Sequence, residues 1–176
     1  GGVLAVVVAV LVLVPMLVLA AAHTIGNSTE GTIDTGSAAT GAHLRQHPSV
    51  LHKGVQLGVE ADSLNCSILG PDITTEDPEF DLFVKAVVTE MTVKAGQKCT
   101  AIRRVIVLGD AAAFTDALAA AVEALPAGDP ADAATVVGPV INPSARDELV
   151  SAADGAAADG GRVVTGGKAL DGPGLF

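Results

Sequence analysis

Apolar runs of strand length alternate with helical segments along this chain, and that alternation restricts it to the α/β class. Four runs are predicted to be strands, the last followed by a turn: residues 54–60, 64–69, 102–108 and 162–167. Four segments are predicted to be helices: one that follows the glycine-rich turn within residues 35–45, and residues 77–96, 110–125 and 144–158. The Pro- and Gly-rich segment 126–143 between the last two helices is predicted to be a loop.

The helix predicted over residues 77–96 has the strongest pattern. Asp77 suits its N-cap, Pro78 its first turn and Gly96 its end. Apolar residues recur at spacings of three and four and predict one buried face: Phe80, Phe83, Val84, Val87, Val88 and Met91.

Composition limits both the core and the partners. Hydrophobic residues make up 49% of the chain but aromatic residues only 2%, so the core must be built from Val, Leu, Ile and Ala. The formal net charge of -10 argues against a nucleic-acid partner, because few basic groups are present to neutralise phosphates. The two cysteines form no C-x-x-C motif, and they are predicted to be free thiols in a reducing compartment.

Residues 1–22 form an apolar run without a charged side chain, and they leave several interpretations open. Their length and composition match a transmembrane segment. They also resemble the core of a signal peptide, or buried strand and helix of a soluble domain. A reading-frame error would produce such a run as well. Residues 23–35 are predicted to be a loop.

Cys99, in "KAGQKCTAIRR" (94–104), is the first candidate for chemistry. It follows the helix breaker Gly96 and precedes a predicted strand, so we expect it on a turn held by rigid elements. Lys98, Arg103 and Arg104 lie nearby in sequence, and positive neighbours favour a thiolate. The alternative is a buried cysteine that packs as a small hydrophobe, which is the prediction for Cys66 in "LNCSIL".

Three further groups of residues are weaker candidates. Glu60 ends an apolar run, which suits a general base, although an ordinary exposed carboxylate is the alternative. Gly36, Ser37 and Gly41 form a glycine-rich turn before a predicted helix, where backbone amides bind anions such as a pyrophosphate. His43 and His47 would share a face of one helix, but no carboxylate completes a metal motif, so surface histidines are favoured and no metal site is predicted.

The ordered motifs "GSAATG" (36–41), "EADSLN" (60–65) and "GQKCTAIRR" (96–104) resemble the aldehyde dehydrogenase superfamily. "GDP…GPVIN" (128–142) and "GGRVVTGG" (160–167) are similar to later landmarks of that family, so the resemblance spans residues 35–176. It implies an α/β fold made of the end of a Rossmann-type cofactor domain and the first part of a catalytic domain, truncated at both ends.

The resemblance also implies a mechanism. Cys99 would be the nucleophile, Glu60 the general base, and Gly36, Ser37 and Gly41 the residues on the nicotinamide side of the cofactor. An aldehyde would be oxidised to the acid through a cysteine thiohemiacetal and thioester, with NADP as cofactor and NAD possible. The family further implies a homo-oligomer in the cytoplasm, not bound to a membrane.

The resemblance implies a substrate class through one motif that differs from most of the superfamily. Most of the superfamily carries E-L-G-G-K around the base, whereas this chain has "EADSLN". That motif is similar to the subgroup that oxidises CoA-linked semialdehydes in aerobic phenylacetate degradation. The alternative is the semialdehyde dehydrogenase of the aerobic benzoyl-CoA pathway.

The expected domain division is an unassigned segment 1–34, the end of the cofactor-binding domain at 35–59 and a partial catalytic domain at 60–176. The family's adenosine-binding lysine and its upstream oxyanion asparagine have no counterpart here, and Asp34 stands where the family has Phe. The chain alone is therefore expected to have little or no activity. Two other classes stay open: a membrane-anchored binding module led by residues 1–22, and an inactive remnant.

Overall fold

The structure, a computed structural model, describes residues 6–8, 32–62 and 64–170, with side chains from residue 37 onward. It divides into two compact units, residues 15–63 and residues 1–14 with 64–176. The domain division predicted at residue 60 is a functional one, and it stays a prediction. Of the apolar run 1–22, only Val6–Val8 is described, and it is a strand; the predicted loop 23–35 lies outside the described residues as far as residue 31.

The described elements confirm the α/β class. The strands in chain order are β1 (Val6–Val8), β2 (Thr32–Gly36), β3 (Leu57–Ala61), β4 (Cys66–Leu69) and β5 (Arg104–Val107). The helices are α1 (Ala38–Arg45), α2 (Pro48–Lys53), α3 (Pro78–Thr92), α4 (Ala111–Glu123) and α5 (Pro143–Ala158).

In the unit of residues 15–63, β2 and β3 pair in parallel and are connected through α1 and α2. A parallel pair requires such a crossover, because the chain must return to the same end of the sheet. Leu44 of α1 is buried and packs with Val50 and Leu57. The predicted loop is wrong for residues 32–35, because pairing with β3 extends a segment whose own sequence is too polar to predict a strand.

In the other unit, β5 is the central strand of a three-stranded sheet. It pairs antiparallel with β1 and parallel with β4. Val105 and Val107 of β5 are fully buried, as expected for the middle strand of a sheet covered by helices. The strands predicted at 64–69 and 102–108 are therefore confirmed, with shorter bounds.

The amphipathic face predicted for α3 is confirmed. Phe80, Val84 and Val87 are buried in the core, and the other three residues of that face pack against its edge. Asp77 occupies the N-cap position, but its side chain turns back and accepts hydrogen bonds from the amide and the hydroxyl of Thr74, both at 2.7 Å. These two bonds hold the pKa of Asp77 below its ordinary value, because they stabilise the carboxylate.

The predicted helix 77–96 is α-helical only to Thr92. A short 3₁₀ turn follows over Val93–Gly96. Lys94, Ala95 and Gly96 have φ angles of 55°, 51° and 72°, in the left-handed region that suits Gly96 and strains the other two residues. The chain thus leaves the helix through three consecutive left-handed residues just before the Cys99 turn.

Helix α4 completes the core. Phe114 is fully buried, and its ring centroid lies 5.7 Å from that of Phe83 on α3. Leu118 is also buried. The remaining buried members of the same core come from α3, the sheet and the segment just before β5: Leu69, Phe80, Val84, Val87, Ile102, Val105 and Val107.

The last part of the chain agrees with the predictions except at one segment. Residues 126–142 form a loop with a single parallel bridge between Ala127 and Val137, and α5 follows as predicted. Residues 162–167 are not a strand: Val163 and Val164 are 47% and 43% exposed, and among the described residues no strand pairs with them. No helix among the described residues is both long and apolar enough to span a bilayer.

We expect Phe114→Ala to lower the free energy of unfolding by about 3–5 kcal/mol, because it removes a buried ring and leaves a cavity. Leu82→Ala on α3 is the matched control: Leu82 is 64% exposed, so its loss should cost less than about 0.5 kcal/mol. Urea denaturation of both variants measures the difference. Equal losses would show that Phe114 is not a core residue.

Candidate functional site

The structure brings Glu60 next to the glycine-rich turn. Strands β2 and β3 run in parallel, with Thr35 opposite Glu60 and Gly36 opposite Ala61. Both predicted features therefore lie at the carboxyl ends of two paired strands, where open parallel sheets bind ligands. The Glu60 side chain is exposed.

Ser37 links β2 to α1 and caps that helix. Its hydroxyl accepts a hydrogen bond from the Thr40 amide at 3.1 Å, and its carbonyl accepts one from Gly41. Gly41 is buried on the same face of α1 as Leu44. In the described structure Gly41 is therefore a packing residue of α1. A role for Gly41 in cofactor binding stays a prediction.

Asp62 was not singled out from the sequence, yet it contacts this turn. Its Oδ1 accepts a hydrogen bond from the Ala38 amide at 3.1 Å, which places a carboxylate at the positive end of α1. Asp62 reaches this position with a φ angle of 51°, a left-handed conformation that Asp tolerates better than most residues. Two amides of the first turn of α1, those of Ala38 and Thr40, are thus already paired, and an anion would meet a negative charge there.

The histidines do not share a helix face. Gln46 ends α1, so His43 belongs to α1, whereas His47 caps α2 and accepts from the Ser49 amide through Nδ1 at 3.2 Å. The interpretation of one shared face is therefore wrong. Among residues 6–8, 32–62 and 64–170, no cluster of His, Cys, Asp or Glu has the arrangement of a metal site.

Cys99 lies on an exposed turn between the 3₁₀ turn and β5, as the sequence predicted. Neither cysteine is in a disulfide. Cys66 is also exposed, so the prediction that it is a core residue is wrong. β4 is an edge strand of its sheet in the described structure, and its first residue has little covering it.

Asn65 forms hydrogen bonds to the Cys99 turn, a role that was not predicted from the sequence. Its Nδ2 donates to the carbonyl oxygens of Cys99 and Ala101 at 2.5 and 3.4 Å. Its own carbonyl oxygen accepts from the amides of Arg103 and Arg104 at 3.0 and 3.3 Å. The only sequence signal was its place at the end of "EADSLN", directly before a predicted strand.

The basic residues near Cys99 have contacts of their own. Lys98 Nζ lies 2.8 Å from Glu90 Oε2 and forms an ion pair with it. Glu90 Oε2 is buried and accepts no hydrogen bond of good geometry from the described residues. Arg103 donates to the Lys98 carbonyl at 3.4 Å, and Arg104 donates to the carbonyl of Leu64. Partial burial lowers the pKa of Arg103, but a guanidinium stays charged near neutral pH. These contacts connect the turn to α3 and to the segment before β4.

Gln97 links the turn to the later loop. Its Oε1 accepts a hydrogen bond from the Ile141 amide at 2.9 Å, and its Nε2 donates to the Lys94 carbonyl at 3.2 Å. The segment on the amino side of Cys99 is thereby attached to residues 44 positions later in the chain. Side-chain amides of Asn65 and Gln97 thus fasten the turn on both sides of Cys99.

Each unit holds part of the predicted site. Gly36, Ser37 and Glu60 come together at one end of the β2–β3 pair, and Asp62 joins them. Cys99 belongs to the other unit, with Asn65 and Gln97. The first group offers a carboxylate base beside a capped helix N-terminus, and the second offers an exposed thiol on a fastened turn.

Comparison with known proteins matches residues 22–176 of the chain to the Aldehyde dehydrogenase family. The match begins at residue 22, upstream of Thr35, although the motifs recognised in the sequence begin only at Thr35. The 3,4-dehydroadipyl-CoA semialdehyde dehydrogenase of Aromatoleum evansii is 48% identical over 109 residues, which are 61% of this chain and 21% of that protein. The NADP(+) succinate-semialdehyde dehydrogenase of Mycolicibacterium paratuberculosis is 43% identical over 107 residues, 60% of this chain and 23% of that protein.

A solved structure of another aldehyde dehydrogenase has a similar fold. The crystal structure of lactaldehyde dehydrogenase from Escherichia coli superimposes with a TM-score of 0.72 at 28% identity, over 83% of this chain and 30% of that one. The chain therefore spans between a fifth and a third of the length of the proteins that it matches.

Asp62→Ala should lower the free energy of unfolding by about 1 kcal/mol, because it removes the acceptor for the Ala38 amide and leaves the left-handed conformation in place. Asp62→Asn is the matched control, since Asn keeps an acceptor oxygen and tolerates positive φ. Urea denaturation, followed by amide exchange at Ala38, compares the two. Equal stability of the Ala and Asn variants would contradict the contact.

Proposed function

This chain belongs to the aldehyde dehydrogenase family, and we propose that its residues serve the NAD(P)-dependent oxidation of an aldehyde to a carboxylic acid. Cys99 is the proposed nucleophile and Glu60 the proposed base. The observation that carries the proposal is the pairing of β2 with β3, which aligns Glu60 with Thr35 and puts it one residue from the Gly36–Ser37 turn. A carboxylate and a glycine-rich turn at the carboxyl ends of two parallel strands support the proposal, because open parallel sheets bind ligands at that edge.

The first step is proposed for Cys99. Its thiolate adds to the aldehyde carbon, and the carbonyl electron pair moves to oxygen, giving a thiohemiacetal oxyanion. The backbone N–H of Cys99 is the proposed donor to that oxyanion. The exposure of Cys99 on its turn supports this role, because an aldehyde can reach the sulfur only if the thiol is accessible.

The second step is proposed for Glu60. Loss of hydride from the same carbon leaves an acyl thioester on Cys99. Glu60 takes a proton from water, the hydroxide adds to the thioester carbon, and the carbon–sulfur bond breaks to release the acid and the Cys99 thiolate. The exposed Glu60 carboxylate at the end of β3 supports this step, since the base must contact water.

The cofactor proposal rests on the Gly36–Ser37 turn and on the Asp62 carboxylate beside it. Bound NAD(P)+ supplies the acceptor for the hydride. The Asp62 carboxylate at the start of α1 disfavours a phosphate there but is compatible with an oxidised nicotinamide, which carries a positive charge. NADP is proposed over NAD because the M. paratuberculosis relative is named as an NADP(+) enzyme.

The proposed substrate is a CoA-linked semialdehyde. The relative from A. evansii is named for 3,4-dehydroadipyl-CoA semialdehyde, and its 48% identity exceeds the 43% of the succinate-semialdehyde relative. We keep the assignment to aerobic phenylacetate degradation as the proposal suggested by "EADSLN", with the aerobic benzoyl-CoA pathway as the alternative. A homo-oligomer in the cytoplasm is proposed with it, on the family resemblance.

Cys99→Ala should abolish aldehyde oxidation in a chimera in which this chain replaces the corresponding segment of the A. evansii enzyme. We expect a loss of at least about a thousandfold in kcat, since no thiol remains to form the thiohemiacetal. Cys66→Ala is the matched control and should keep activity, because an exposed edge cysteine has no step assigned to it. NADPH absorbance measures both variants.

Retained activity in the Cys99→Ala chimera would refute the proposed nucleophile. The 176-residue chain alone serves as the background sample in the same assay, since it spans about a fifth of the relative's length. Robust oxidation by that chain would contradict the expectation that it is inactive by itself.

Glu60→Gln in the same chimera should separate the two steps. Glutamine keeps the shape of the side chain but cannot accept a proton from water, so the thioester should accumulate. We expect a burst of about one NADPH per active site, followed by a steady rate at least about a hundredfold lower. Stopped-flow absorbance and intact-protein mass measure the burst and the acyl adduct. An unchanged steady rate would rule out Glu60 as the base.

A further inference from the structure

We propose that Asn65 is a positioning residue that holds the Cys99 turn in the geometry needed for attack, an inference that rests on the proposed function of Cys99. The role of Asn65 is to act through the backbone of residues 99–104.

The contacts of Asn65 reach the turn from 34 positions earlier in the chain. One side-chain amide donates to two carbonyls, those of Cys99 and Ala101, at 2.5 and 3.4 Å. The main-chain oxygen of Asn65 accepts from the two residues that lead into β5. One residue therefore fixes both the turn and its exit.

The Asn65 contacts add to the hydrogen bonds within the turn itself. Cys99 and Thr100 are exposed, and within the turn the Ala101 amide donates to the Lys98 carbonyl at 3.2 Å. Holding the Cys99 carbonyl restricts rotation of the peptide plane that follows the nucleophile, and with it the direction of the side chain. A displacement of about 1 Å at a reacting group can cost about a hundredfold in rate.

The rigidity of Asn65 comes from the sheet. It directly precedes β4, whose first residue, Cys66, is in register with Arg104 of β5. Parallel pairing of β4 with the buried strand β5 thus sets where the Asn65 amide points relative to residues 99–101. A loop held by strand pairing is a more accurate support for a reacting group than a loop held only by its own turns.

Asparagine suits the position for a chemical reason. Its NH₂ group has two donor hydrogens, one for each carbonyl, whereas an aspartate of the same shape is an acceptor and would repel both oxygens. Asn65→Asp therefore replaces a hydrogen-bond donor by an acceptor and hardly changes the side-chain volume. Asn142→Asp is the matched control, because the Asn142 side chain accepts from the Ala145 amide at the start of α5, and Asp caps a helix equally well.

The test compares Asn65→Asp, Asn65→Ala and Asn142→Asp in the chimera described above. We expect kcat to fall about tenfold to a hundredfold in both Asn65 variants, with KM for the aldehyde changed less than about threefold, since attack and not binding is impaired. Asn142→Asp should keep both constants. Amide exchange of residues 98–104 in the 176-residue chain supplies a second readout and should become faster only in the Asn65 variants.

Two results would overturn the proposal. One is a kcat for Asn65→Asp equal to that of the unmodified chimera. The other is unchanged exchange of residues 98–104 in either Asn65 variant. If the first result is accompanied by a parallel fall of kcat and thermal stability in Asn65→Ala, the role of Asn65 is purely structural. Activity retained by Cys99→Ala would instead refute the proposed nucleophile, so the two failures are distinguishable.

Discussion

The parallel pairing of β4 with β5 is the interaction on which the geometry around Cys99 depends. β5 is the middle strand of its sheet, and Val105 and Val107 anchor it in the core between α3 and α4. Because Cys66 is in register with Arg104, the residue before β4 lies beside the segment that enters β5. The side-chain amide of Asn65 can then reach the carbonyls of Cys99 and Ala101. A slip of one residue in this register would move the amide to the opposite face of the sheet and remove both contacts.

A short segment connects the two candidate groups in sequence. Within "EADSLN", Glu60 is the penultimate residue of β3, Asp62 binds the start of α1, and Asn65 binds the Cys99 turn. Two residues of this short motif, Asp62 and Asn65, therefore bind two different parts of the chain. The left-handed φ of Asp62 is part of this arrangement, because it directs the carboxylate to the Ala38 amide.

How much of the fold and the site could be predicted from the sequence depended on how far apart in the chain the interacting residues lie. The buried faces of α3 and α4 could be predicted, since apolar residues at spacings of three and four give the pattern whatever surrounds them. Three predictions failed where the outcome depends on distant partners. Residues 162–167 have strand-like composition but no partner strand among the described residues, and Thr32–Gly36 is a strand only through its pairing with β3. Cys66 has an apolar setting in sequence but lies on an edge strand, where nothing described covers it.

The sequence by itself determined the α/β class, the two principal helices of the core, the position of Cys99 on a turn and the family to which the motifs belong. These depend on local periodicity, on breakers such as Gly96 and on the order of short motifs. Only the tertiary structure decided that Glu60 lies beside the Gly36–Ser37 turn, that Asp62 binds the α1 N-terminus and that Asn65 binds the Cys99 turn. Each of those contacts joins residues at least 24 positions apart, and strand register, which no local pattern encodes, determines which side chains meet.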